Sequence, residues 1–98
     1  MKGIIWGLDR STRFEKLDTI IADYELYWKI KPKKIRRTEL EYEVEFKNGD
    51  IWRAVVISEC ARGRKCNISL VDERIPYELI PIIESCTVCP PYHAINYY

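Results

Sequence analysis

The sequence predicts an α/β domain of the α+β kind: a small mixed sheet of four to five strands, with a β-hairpin and one main helix packed on one face. Three observations carry this. Over residues 13–28, Phe14, Leu17, Ile21, Tyr24 and Trp28 recur at spacings of three and four, the stripe of a helix with one buried face. Over residues 39–46, Glu39, Glu41, Glu43 and Glu45 alternate with Leu40, Tyr42, Val44 and Phe46, the period of a half-buried strand. Asn48-Gly49 follows directly, and that pair favours the positive φ angles of a tight hairpin turn.

The elements follow in order. Residues 3–8 read as a short strand buried on both faces, because Ile4, Ile5, Trp6 and Leu8 do not alternate with polar residues. A turn over residues 9–12 leads into Thr12-Arg13-Phe14-Glu15, which fits a capping box at the start of the main helix. That helix cannot continue through Pro32. Lys29, Lys31, Lys33, Lys34, Arg36 and Arg37 then put six charges into nine residues. Such a run either steers an anion or forms a solvated strand edge whose charges discourage edge-to-edge pairing.

With Asn48 and Gly49 as the two central turn residues, the hairpin register pairs Phe46 with Ile51, Val44 with Arg53, Tyr42 with Val55 and Leu40 with Ile57. Arg53 then falls on the apolar face, and Trp52, Ala54 and Val56 oppose the four glutamates. The returning strand spans residues 51–58, and a polar loop covers 59–65. An apolar strand at 67–71 ends in Asp72-Glu73. Residues 77–85, opened by Pro76 and interrupted by Pro81, read as a short helix. Pro90-Pro91 forces an extended segment, and 93–98 reads as a last strand. The strands at 3–8 and 67–71, both nearly all apolar, are the expected central neighbours.

The 98 residues allow one domain, 1–98. A chain of this size buries roughly 60–68% of its unfolded surface, enough for a modest core. Sixteen Lys and Arg against fifteen Asp and Glu leave a formal charge of +1. That balance excludes a strongly basic nucleic-acid coat and an acidic tail. No apolar run approaches the ~20 residues of a membrane-spanning helix. The N-terminus lacks the apolar stretch of about 7–15 residues that a secretory signal needs. The expected setting is the cytoplasm, with no membrane partner, and Cys60, Cys66, Cys86 and Cys89 are expected to be thiols there. Their spacing, C-x5-C and then C-x2-C, leaves two readings. One is a structural zinc site, with His93 close by; the other is buried packing, common for cysteine. His93 is the chain's one histidine, and no neighbour in sequence activates a cysteine nucleophile.

The candidate ligand-binding residues cluster in two places. Arg62, Arg64 and Lys65 surround Gly63, and paired guanidiniums on a loop suit bidentate recognition of phosphate or carboxylate. Trp52 and Arg53 stand one strand away and offer a stacking surface and a further charge. Asp72 and Glu73 close the apolar strand and read either as ligand-binding or as a solvated strand end beside Arg74.

Taken in order, Phe46-Lys47-Asn48-Gly49-Asp50, Ala61-Arg62-Gly63-Arg64 and Ile68-Ser69-Leu70-Val71-Asp72-Glu73 resemble part of the ATPase domain of phage terminase large subunits. The resemblance covers about residues 3–75. It implies that Asp72-Glu73 stands where that family carries its Walker B pair, which holds Mg²⁺ and aligns water. The Walker A loop, G-x-x-x-x-G-K-S/T, is absent from this sequence, so the pair is not carried over as catalytic. A similar cadence in short proteins of phages of Gram-positive bacteria implies a phage or prophage setting, hence the cytoplasm of the host cell.

The expected function is therefore non-catalytic. The chain binds an anionic ligand, a nucleotide or a nucleic-acid backbone, through its Arg-rich loop. A second class competes: a protein–protein inhibitor or accessory factor, such as an anti-defence protein, that binds a host protein through aromatic anchors including Tyr92, Tyr97 and Tyr98. A small zinc-binding domain is the third. A metal-dependent hydrolase at Glu59, Asp72 and Glu73 ranks behind these. Exposed strand edges also suit a homo-oligomer.

Overall fold

The computed structural model describes residues 1–57, 64–87 and 94–98. Its elements are β1 (Lys2–Trp6), α1 (Arg10–Trp28), β2 (Pro32–Arg37), β3 (Tyr42–Phe46), β4 (Ile51–Val55), β5 (Ile68–Val71), a 3₁₀ turn (Tyr77–Leu79), α2 (Ile80–Cys86) and β6 (Ala94–Tyr97). The strands form one mixed sheet in the order β2-β3-β4-β1-β5-β6. The β2–β3 and β3–β4 pairs are antiparallel; β4, β1, β5 and β6 run parallel. The α+β class, the hairpin and the main helix stand as the sequence predicts. Strand count is the difference: six rather than four to five. The basic run supplies a complete edge strand, β2, and residues 94–97 supply the other edge.

β1 explains the architecture. Its side chains alternate between two separate cores, so it must lie in the middle of the sheet. Ile5 joins Phe14, Leu17, Ile20 and Tyr24 of α1, and with them Tyr42, Val44, Phe46, Trp52 and Ala54. Ile4 and Trp6 point the other way, to Val55, Cys66, Val71, Ile75 and the α2 residues Ile82, Ile83 and Cys86. The expected pairing of β1 with β5 is present, Ile5 opposite Leu70. Thus α1 covers one half of one face, and α2 covers the other half of the opposite face. Two diagonal quadrants of the sheet have no helix over them among the described residues.

Buried polar groups within the second core are satisfied. Trp6 Nε1 donates to Ser69 Oγ at 3.0 Å, Ser69 and Thr87 share a hydroxyl bond of 2.6 Å, and Thr87 Oγ1 donates to the Ile83 carbonyl at 2.8 Å. These bonds tie β1, β5 and the end of α2 together, and each would leave an orphaned partner if cut.

Three local expectations are corrected. α1 begins at Arg10 rather than residue 13, because Asp9 is the cap: its carboxylate accepts from the Thr12 amide at 2.7 Å. Pro81 opens α2 instead of interrupting it, since a missing amide costs nothing in a first turn. The third correction concerns the hairpin. Phe46 N donates to Asp50 O at 2.8 Å, so the loop has three residues, Lys47-Asn48-Gly49, with Gly49 at φ +95°. That is the three-residue loop with glycine in the left-handed region, not a two-residue turn. The register moves by one: Tyr42 pairs with Ala54, Glu43 with Arg53, Val44 with Trp52 and Glu45 with Ile51. A one-residue slip exchanges faces, so Trp52 enters the core and Arg53 joins the glutamates.

Candidate functional site

The uncovered quadrant opposite α1 carries the charged side chains of β2, β3 and β4. Register brings Arg36, Glu43 and Arg53 into one row across three strands. Ion pairs link Arg53 to Glu43 at 3.1 Å, Arg36 to Glu41 at 3.3 Å and Lys33 to Glu45 at 3.5 Å. Each involves solvated side chains and contributes little to stability.

Two adjoining clefts open on this face. One, of about 410 Å³, is lined by Arg36, Glu41, Glu43, Arg53, Val55 and Arg64 among others. The other, of about 350 Å³, is lined by Lys2, Gly3, Ile4, Ile51, Arg53, Arg64 and Lys65. Arg53 and Arg64 line both. The Arg53 ion pair runs through Nε, and its two terminal nitrogens have no partner among the described residues. Arg64 is exposed and likewise unpaired among the described residues. The Lys65 ammonium is engaged, donating to the Ser85 carbonyl at 3.1 Å.

Of the residues singled out in the sequence, the structure therefore brings Arg53, Arg64 and Lys65 together. It does not bring Trp52 to them. Trp52 is buried on the α1 face, and its Nε1 donates to the Tyr24 hydroxyl at 3.0 Å. It cannot stack a ligand held by Arg53. Arg62 lies outside the described residues. Lys2 is a cleft residue that sequence reasoning did not select, and Arg36 entered it only as part of the basic run. Pairing of β1 with β4 and of β2 with β3 places them there, and strand order was not readable from the chain.

Asp72 and Glu73 stand elsewhere, at the carboxyl ends of the parallel strands. Between β1 and β5 the connections leave toward opposite faces, to α1 and to α2. Such a switch point is where open α/β sheets commonly hold ligands. In this protein the crevice is filled from within. Asp72, 2% exposed, accepts from the Leu8 amide at 3.1 Å, the Arg74 amide at 2.9 Å and the Arg74 guanidinium at 2.6–3.1 Å. Arg74 Nη2 also donates to Asp9 Oδ2 at 3.0 Å and Thr12 Oγ1 at 2.8 Å. The guanidinium holds the Asp72 carboxyl down at about 2. Glu73 is exposed, and its amide donates to the Tyr98 carbonyl at 3.0 Å. Arg74 and Asp9 are the residues sequence reasoning missed here, and no sequence signal joins groups 62–65 positions apart.

Cys66 and Cys86 are both buried in the α2 core, where the Cys66 amide donates to the Cys86 carbonyl at 2.8 Å. Cys60, Cys89, His93, Glu59 and Tyr92 lie outside the described residues. Among the described residues, no three His, Cys, Asp or Glu side chains converge as a metal-ligand cluster. No described helix is long and apolar enough to cross a membrane. No protein family, curated protein or solved structure matches the chain.

Proposed function

We propose that this protein binds an anionic ligand, a nucleotide or a nucleic-acid backbone, on the open sheet face without converting it chemically. The observation that carries the reading is the meeting of Arg53 and Arg64 on one pair of clefts, with terminal guanidinium nitrogens that no described residue engages. Guanidiniums with free forks are suited to bidentate phosphate contacts. Lys2, Lys65 and Arg36 add positive charge around them. The phage setting implied by the sequence cadence agrees with such a role. Anisotropy with a labelled oligonucleotide and with labelled ATP tests it. Arg53→Gln combined with Arg64→Glu is expected to weaken binding at least tenfold, with the dependence on salt reduced. Unchanged affinity in that variant sinks the reading.

A second reading, a protein-binding accessory factor, draws support from exposed aromatics. Tyr77 is 89% and Tyr97 58% exposed. Large exposed aromatic side chains are common interaction anchors. Tyr98 fits this reading less well, since its hydroxyl donates to the Trp6 carbonyl at 3.0 Å. Tyr77→Ser with Tyr97→Ser is expected to abolish a protein partner's binding and to leave oligonucleotide binding intact.

A further inference from the structure

The second uncovered quadrant lies on the α1 side, over β5. There Ile68 and Leu70 are left only half-buried. A cleft of about 530 Å³ runs between them and the helix, walled by Ile20, Trp28 and Trp52. Its size and apolar, aromatic walls fall within the range of small-molecule sites. A second cleft of about 400 Å³ adjoins it, sharing Ile30 and Asn48, and is lined by Lys29, Lys31 and Lys47.

The charges in these two clefts are segregated. Lys29, Lys31 and Lys47 have no ion-pair partner among the described residues. Asp50 is already neutralised: it accepts from the Met1 ammonium at 3.2 Å, from Tyr24 Oη at 2.8 Å and from Asn48 Nδ2 at 3.1 Å. Asp23 is the remaining carboxylate lining the clefts and has no partner among the described residues. Three uncompensated cations thus stand at one end of an apolar cleft, against one uncompensated acid.

We propose that this pair of clefts binds a free anionic amphiphile, with its apolar tail along Ile20, Ile68 and Leu70 and its carboxylate or phosphate head at Lys29, Lys31 and Lys47. Burial of the tail supplies affinity, and the lysines select the sign of the head. The site lies on the sheet face opposite Arg53 and Arg64 and stands or falls independently of them.

Decanoate, kept below its micelle concentration, is the probe. Trp28 and Trp52 line the cleft, so tryptophan emission reports occupancy, and calorimetry gives affinity. Decanoate is expected to bind saturably, with decanol and decyltrimethylammonium at least tenfold weaker. The triple variant Lys29→Gln, Lys31→Gln, Lys47→Gln is expected to lose at least tenfold in decanoate affinity. Asp23→Asn is expected to gain severalfold, a sign that a cationic ligand would reverse. Should the triple variant fail to fold, Asp23→Asn and the comparison with decanol decide alone. The proposal is overturned by equal binding of decanol, by weaker binding in Asp23→Asn, or by no binding. A response only to phosphatidylglycerol vesicles overturns it too, in favour of a membrane surface.

Discussion

Glu43 and Arg53 face each other across β3 and β4, ion-paired at 3.1 Å on the side of the sheet away from α1. The pair is 43% exposed at the arginine and 33% at the glutamate, so water screens it. Its coupling energy should be about 0.5 kcal/mol. On the proposed function its consequence is larger than its energy, because Glu43 would compete with a bound anion for the Arg53 guanidinium. Glu43→Gln is therefore expected to change stability by less than about 1 kcal/mol and to tighten oligonucleotide binding severalfold. Urea denaturation and anisotropy on the same variant check both halves. Weaker binding would show that Glu43 positions Arg53 rather than competing with its ligand.

Gly3 makes room for Trp52. A Cβ built at residue 3 would overlap the six-membered ring of the indole. That ring is buried and held by its bond to Tyr24, so it cannot swing away cheaply. Gly3→Ala is expected to destabilise by about 2–3 kcal/mol, the upper range for overpacking. Trp52→Phe alone should also cost stability. Added to Gly3→Ala it should recover part of the loss, since the smaller ring yields the space. Additive losses in the double variant would count against a direct clash.

Much of the fold was legible because its strongest signals are local. The α1 stripe, the alternation through β3 and the apolar character of β1 each follow from burial of one or both faces. The hairpin turn was legible too, but its register was not. Asn48-Gly49 serves a two-residue turn and a three-residue loop alike, and only the Phe46–Asp50 bond decides between them. That single residue exchanges the faces of Trp52 and Arg53, which puts the indole in the core and the guanidinium among the glutamates. The network around Asp72 was illegible for a different reason. Arg74 joins Asp9 and Thr12 over 62–65 positions of sequence, and no spacing rule predicts a tertiary ion pair.

Three tyrosines, Tyr24, Tyr42 and Tyr98, should resist ionisation, Tyr98 chiefly through burial. Burial pushes the Tyr24 hydroxyl up to about 12, and its bond to Asp50 acts in the same sense, against the donated Trp52 bond. Burial also raises Tyr42 to about 12, reinforced by Asp18. Both groups are neutral when folded and ionise near 10 when unfolded. Their contribution is fully present below about pH 10 and is lost as pH rises toward 12. Ultraviolet titration should show these residues ionising late, together with the alkaline unfolding transition. Tyr24→Phe should remove one late step and cost roughly 1–2 kcal/mol, because Trp52 Nε1 loses its acceptor. A titration in which all tyrosines ionise near 10 before unfolding would contradict this.

The Asp72–Arg74 network makes the opposite prediction at low pH. The Arg74 guanidinium lowers the Asp72 carboxyl to about 2 from its ordinary 3.8, aided by the Arg74 and Leu8 amides and opposed by burial. A depressed folded value means stabilisation that is fully present above the unfolded value, about 4, and lost as pH falls toward 2. Arg74→Ala removes the counter-charge and leaves a carboxylate that is 3% exposed without its guanidinium. Removing one partner leaves the buried carboxylate without its counter-charge and is destabilising, and the half-exposure of Arg74 keeps the loss below that of a fully buried pair. The Asp72 carboxyl should then titrate higher, so acid destabilisation should begin at a higher pH than in the parent protein. Asp72→Asn in the Arg74→Ala background should recover part of the loss, because an amide carries no unpaired charge. Urea midpoints at pH 7 and pH 3 for the three proteins separate the possibilities. Arg74→Ala with the parent's midpoint at neutral pH and the parent's acid slope would mean that Arg74 is a surface residue and the crevice between β1 and β5 is held shut by other contacts.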